Sequence, residues 1–169
     1  GWVGRVSPEK GLEDAVYVAN KLQERLNIWG YIEDENYASM IENLDSAGLL
    51  SWRGFLSTSK LQEELCHCRA LINTPKWNEA YGNVVVEAMA CGVPVVAYRR
   101  GGPSEIIKHG LTGFLVDPDN KYELLEYLKK INSIDRYKCR SWVENNASHN
   151  IFADKIESWL KEIIESFND

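Results

Sequence analysis

Two carboxylates stand eight residues apart, Glu79 and Glu87, in the stretch Asn78-Glu79-Ala80-Tyr81-Gly82-Asn83-Val84-Val85-Val86-Glu87-Ala88-Met89-Ala90-Cys91-Gly92-Val93-Pro94. The pattern predicts Glu79 in a loop and Glu87 in the first turn of a helix, so that both can face one crevice. A carboxylate has two acceptor oxygens and matches a pair of vicinal hydroxyls. Tyr81-Gly82-Asn83 suits a helix start, with Asn83 as the expected N-cap. The free amides of such a first turn form a natural diphosphate site. A ligand carrying both hydroxyls and phosphates, such as a nucleotide sugar, would use all of these groups. The plainer alternative has Glu87 answering the helix dipole and Glu79 as a loop acid in water.

A second group of residues supports the ligand reading. Gly4-Arg5-Val6-Ser7-Pro8-Glu9-Lys10-Gly11 follows an apolar run and precedes a helical pattern. Arg grips phosphate oxygens with a planar fork, and Lys offers a mobile point charge. The segment is neither GxGxxG nor GxxxxGK[ST]. Arg99-Arg100-Gly101-Gly102-Pro103-Ser104-Glu105 has two glycines that permit close backbone approach, and it also reads as a tight connection. Trp52-Arg53-Gly54-Phe55-Leu56 is a candidate edge for a base pocket or, equally, a core strand. Asp117-Pro118-Asp119 spells a DxD, but its place before a helix predicts turn formation and N-capping instead. His67, His109 and His149 are scattered, with His109 expected at a helix terminus. Cys66-His67-Cys68 is too tight for the usual zinc spacing. Reduced cysteines in a cytoplasmic protein are the expected reading of the four present.

These segments need a scaffold that gathers them. Short apolar runs at 2–4, 27–31, 51–55, 70–74, 94–98 and 113–116 read as strands. Helical patterns lie between them at 12–26, 36–44, 59–68, 84–91 and 104–108, and three more follow at 121–131, 136–146 and 152–167. Alternating strands and helices imply an α/β domain: a Rossmann-like parallel sheet with helices on both faces and a helical C-terminal tail. Ligands in such folds bind beyond the carboxyl ends of the strands, where strand order reverses. At 169 residues the chain is expected to be one domain, 1–169. A net charge of −6 argues against a nucleic-acid partner. No run approaches the ~20 apolar residues of a membrane span. The opening Gly1-Trp2-Val3-Gly4 reads as a strand already under way, so a further domain is expected on the N-terminal side.

In combination, Gly4-Arg5 with Lys10-Gly11, Gly54-Phe55-Leu56, Glu79 with Glu87-Ala88-Met89-Ala90-Cys91-Gly92-Val93-Pro94-Val95, Gly101-Gly102-Pro103-Ser104-Glu105-Ile106-Ile107 and Gly110-Leu111-Thr112-Gly113 resemble the group 1 (GT4-type) retaining glycosyltransferases. The wording at 1–10 and 98–105 is also similar to bacterial enzymes that glucosylate a pteridine. The resemblance implies the C-terminal, donor-binding half of a GT-B enzyme. Arg5 and Lys10 would hold the donor diphosphate, with amides around Gly82, Asn83 and Val84. Glu79, flanked by Ala80 and Tyr81, would contact the transferred sugar, and Glu87 the ribose. Phe55 and Leu56 would face the base. It further implies a UDP-hexose donor such as UDP-glucose, no metal or other cofactor, and an acceptor bound mainly by an N-terminal domain absent here. Any peripheral membrane association would come through that domain. A non-catalytic nucleotide-sugar-binding module is the alternative. The segment Trp29-Gly30-Tyr31-Ile32-Glu33-Asp34-Glu35 departs from the family's more Gly-rich loop.

Overall fold

Each predicted apolar run forms a strand: β1 (Trp2–Val3), β2 (Leu26–Trp29), β3 (Leu50–Gly54), β4 (Leu71–Asn73), β5 (Val95–Tyr98) and β6 (Gly113–Val116). The computed structural model describes residues 1–167. Every strand pair is parallel, with Trp2 opposite Ile28, Leu26 opposite Leu50, Leu71 opposite Val95 and Val95 opposite Gly113. The halves β1-β2-β3 and β4-β5-β6 meet along β1 and β4. There the Ile72 N–H donates to Gly1 O at 2.8 Å, and the Gly1 amine donates to Ala70 O at 2.7 Å. The strand order is therefore β3-β2-β1-β4-β5-β6, and it reverses between β1 and β4. All four residues of β5 and of β6 are buried, as expected for strands covered on both faces.

The helices are α1 (Leu12–Leu22), α2 (Glu35–Leu44), α3 (Thr58–Leu65), α4 (Asn83–Ala90), α5 (Pro103–Ile106), α6 (Lys121–Lys129), α7 (Arg136–Asn146) and α8 (His149–Ser166). One layer packs α1 against α2 and α6; the other packs α4 against α3, α5 and α7. Helix α4 buries Val85, Ala88 and Met89. Large aliphatic side chains contribute about 1.5–3 kcal/mol each when fully buried, which fixes the end of α4 relative to the sheet. Helix α1 stops at Leu22, short of the predicted 26, because Gln23 turns left-handed and the chain enters β2. Helix α8 begins at His149, earlier than predicted, and buries none of its residues.

Candidate functional site

Where strand order reverses, the loops after β1 and β4 enclose a cavity of about 340 Å³. Its walls include Arg5, Lys10, Asn73, Glu79, Gly82 and Asn83. Helix α4 opens toward it with no acid in its first turn and no side-chain cap. Gly82, at φ 92°, is the N-cap, and Asn83 is the first helical residue rather than the predicted cap. The backbone first folds back at Val85, whose N–H donates to Gly82 O at 2.9 Å. The amides of Asn83 and Val84 are therefore left over for an anion.

The loop bearing Glu79 is held from both ends. Thr74 Oγ1 donates to Gly11 O at 2.8 Å, and Lys76 N–H donates to Glu9 O at 2.8 Å. The Lys76 ammonium joins Asp14, itself buried and bonded by Tyr98 OH at 2.7 Å, and reaches Asp119 at 3.1 Å. Arg100 donates to Pro75 O at 2.9 Å and pairs with Asp119. Asp119 is thus an ion-pair partner and not the N-cap predicted for it. Asn120 caps α6, accepting from Glu123 N–H at 3.1 Å. The Arg100 hydrogen bond holds the Asp119 carboxyl below its usual range. Behind the loop, Gly102 N–H donates to Glu79 O at 2.7 Å. The close approach predicted for Gly101-Gly102 is therefore made to the protein's own loop, residues 79–81.

Both predicted phosphate cations meet carboxylates. Lys10 Nζ donates to Glu79 Oε2 at 2.8 Å, and both side chains are less than a fifth exposed, at 18% and 19%. The same ammonium lies 4.9 Å from the centre of the Trp77 ring. Arg5 donates to both oxygens of Glu33 at 2.7 Å and to Glu9 at 3.2 Å. The Ser7 hydroxyl donates to Glu9 at 2.7 Å and is the main cause of a lowered Glu9 pKa. Hydrogen bonding to Glu33 raises the pKa of Arg5.

Glu87 lies one turn deeper than predicted, in the second turn of α4. It lines a neighbouring cavity of about 410 Å³ with Tyr81, Asn83, Val86, His149 and Phe152. Tyr81 and Asn83 line both spaces, so the two glutamates face adjoining cavities rather than one crevice. Burial, rather than the helix dipole, dominates its protonation and pushes its carboxyl above the ordinary range. A third, apolar cavity of about 200 Å³ is lined by Arg5, Trp29, Tyr31, Phe55 and Leu56. Arg5 therefore joins the polar cavity to the apolar one. Phe55 is 75% exposed and Tyr31 50%, so their rings are available to a ligand, while Trp52 packs against the core.

Sequence reading missed Asn73 and Trp77; it set Tyr31 and Glu33 in a segment at the pocket's edge but missed the pairing of Glu33 with Arg5. Asn73 gave a signal, a polar side chain ending an apolar run. Trp77 gave another, a large aromatic in a loop. His109 lies beyond α5, not at its terminus, where its Nδ1 accepts from Leu115 N–H at 3.2 Å. Among the described residues, no three His, Cys, Asp or Glu side chains cluster as metal ligands.

The family model for group 1 glycosyl transferases matches residues 1–149. This chain belongs to that family. A group 1 relative, the sucrose synthase of Acidithiobacillus caldus, is 33% identical over 148 residues, covering 83% of this chain and 18% of its own length. The crystal structure of Anabaena Alr3699/HepE in complex with UDP superimposes with a TM-score of 0.86 at 23% identity, covering 96% of this chain and 48% of that one. A glycosyltransferase from Rickettsia africae gives a TM-score of 0.81 at 26% identity, over 96% of this chain and 47% of that one. The chain thus spans less than a fifth of that sucrose synthase and about half of each of these two solved chains. Among the described residues no helix is long and apolar enough to cross a membrane.

Proposed function

We propose that this chain, residues 1–169, is the donor-binding domain of a GT4-type retaining glycosyltransferase that uses UDP-glucose or a related UDP-hexose. The observation that carries the reading is the cavity between β1 and β4, which collects Arg5, Lys10, Glu79 and the uncapped amides of α4. The UDP complex of the Anabaena protein, which shares this fold, supports the nucleotide. Arg5, Lys10 and the amides of Gly82, Asn83 and Val84 take the diphosphate. Glu79 contacts the transferred sugar beside Ala80 and Tyr81. Glu87 accepts from the ribose hydroxyls, and Phe55 and Leu56 face the base.

In the transfer, the bond between the anomeric carbon and the β-phosphate oxygen breaks, the acceptor hydroxyl oxygen bonds that carbon with retained configuration, and negative charge grows on the leaving diphosphate, which takes up the acceptor's proton. Fixed cations and backbone amides stabilise that charge without a metal ion. The acceptor is held mainly by a separate N-terminal domain in a cytoplasmic enzyme, and any peripheral contact with a membrane belongs to that domain. This chain alone therefore transfers no sugar.

Calorimetry on the folded chain in the presence of EDTA tests the reading. UDP binds with a millimolar or tighter Kd, and Lys10→Ala weakens it about tenfold or more, since charge-assisted hydrogen bonds contribute about 1.5–3 kcal/mol. No heat from any nucleoside diphosphate removes the proposal. Sugar transfer by the purified chain overturns its two-domain part.

A further inference from the structure

Two buried side-chain oxygens among the described residues have no hydrogen-bond partner, Asn20 Oδ1 and Asn73 Oδ1. Asn20 sits within α1, away from the strand junction. Asn73 ends β4 and lines the cavity between β1 and β4. It is 8% exposed. Its strand neighbours Leu71 and Ile72 are apolar and buried, so a polar residue there breaks the pattern of a buried parallel strand. Thr74, the next residue, is equally buried but donates to Gly11 O at 2.8 Å. An orphaned buried acceptor destabilises the folded state, and native proteins keep few. Such an acceptor calls for a partner that the protein's own groups do not supply.

We propose that Asn73 is a sugar-recognition residue, its side-chain oxygen accepting a hydrogen bond from a hexose hydroxyl of the nucleotide sugar. This rests on the donor-binding reading above. The cavity already supplies donors for phosphate in Arg5, Lys10 and the α4 amides. An amide oxygen adds nothing for an ionised phosphate, which has no proton to give. It suits a hydroxyl. Glu79, on the same cavity, already accepts from Lys10, so Asn73 provides an acceptor that no internal cation occupies. A site built to hydrogen-bond a hydroxyl discriminates against a ligand that lacks it, because the acceptor is left unsatisfied.

The test measures melting of the unliganded chain and Kd for UDP and UDP-glucose, in Asn73→Val and Asn73→Asp. Valine suits a strand and removes the orphan. The expected result for Asn73→Val is a melting temperature no lower than the parent's. UDP affinity stays within twofold, and UDP-glucose affinity falls about three- to twelvefold, the range of one lost uncharged hydrogen bond. Asn73→Asp retains an acceptor: its charge weakens both ligands, but their affinity ratio stays near the parent's. Equal weakening of UDP and UDP-glucose by Asn73→Val overturns the inference, as an amide donating to phosphate would give. Unchanged binding of both overturns it too. A lower melting temperature assigns Asn73 a structural role and does the same. A parent chain that binds no UDP removes the donor-binding reading itself, and this inference with it.

Discussion

Arg5 holds Glu33 through a single guanidinium nitrogen, Nη1, which donates to both carboxylate oxygens at 2.7 Å, while Nη2 donates to Glu9 at 3.2 Å. The backbone that carries Glu33 is fixed against Val6. Val6 N–H donates to Tyr31 O at 3.0 Å, and the N–H groups of Glu33 and Asp34 both donate to Val6 O, at 3.3 and 3.2 Å. A diphosphate at Arg5 would compete with that carboxylate for the Nη1 donors. The pair is 39% exposed on each side, and exposed pairs are worth about 0–1 kcal/mol. Glu33→Gln is therefore expected to tighten UDP binding by about two- to fivefold; weaker binding would instead make Glu33 the support that aims Arg5. Glu87 carries a pH signature. Its carboxyl is raised above 4.5 by burial, so the folded chain resists its ionisation. This site destabilises nothing while both states are protonated, at pH below 4.5, and stability declines as pH climbs through the raised value. Glu87→Gln should melt higher than the parent at pH 7, by at most ~2 °C because solvent screens a partly buried group, with the gap closing below the ordinary carboxylate range. The same variant should bind UDP more weakly.

At the scale of elements, the β5–α5 connection shapes the loop that carries Glu79. Gly101 has φ 61°, and a Cβ there would lie 2.0 Å from Glu79 O. Gly110 has φ 78° but open space where its Cβ would be. A left-handed L-residue costs about 1–2 kcal/mol from backbone sterics alone. Gly110→Ala should therefore lose about that much in urea melts. Gly101→Ala should lose more, and should also weaken UDP-sugar binding by moving Glu79. Equal losses with intact binding would show that the close approach does not matter. The strands were legible because buried parallel strands are short apolar runs bounded by turn residues, and all six stand near their predicted places. Helix ends were less so. Asn83 has the chemistry of a cap, but Gly82 can take the left-handed turn and does. The ion pairs were not legible: Arg5 and Glu33 are 28 residues apart and Lys76 and Asp14 are 62 apart, and no local period encodes partners that only the folded sheet brings together. Asn73 was visible as a polar residue in an apolar run, but its burial and lack of a partner required the structure.

For the whole molecule, the strand junction and α8 stand at opposite extremes of burial. Trp2 and Trp29 are 2% exposed beside the junction. Helix α8 packs against α7 yet leaves Phe152, Trp159 and Leu160 exposed at 59%, 56% and 47%, and the Phe167 that follows it at 85%. A helix that buries no residue lends its domain little hydrophobic stabilisation. Its first turn is different in kind, because His149 and Phe152 line the cavity of Glu87. Ending the chain after Phe152 separates the two roles: it keeps that wall and removes most of the exposed stripe. The shortened chain is expected to melt within about 3 °C of the parent and to bind UDP within about twofold, and it should be more soluble, since contiguous exposed apolar surface promotes association. Cutting back to Ala147 removes the wall as well and should weaken UDP binding while sparing stability. A large fall in melting temperature on the first truncation would mean that α8 is integral to this domain's core, contrary to its exposure.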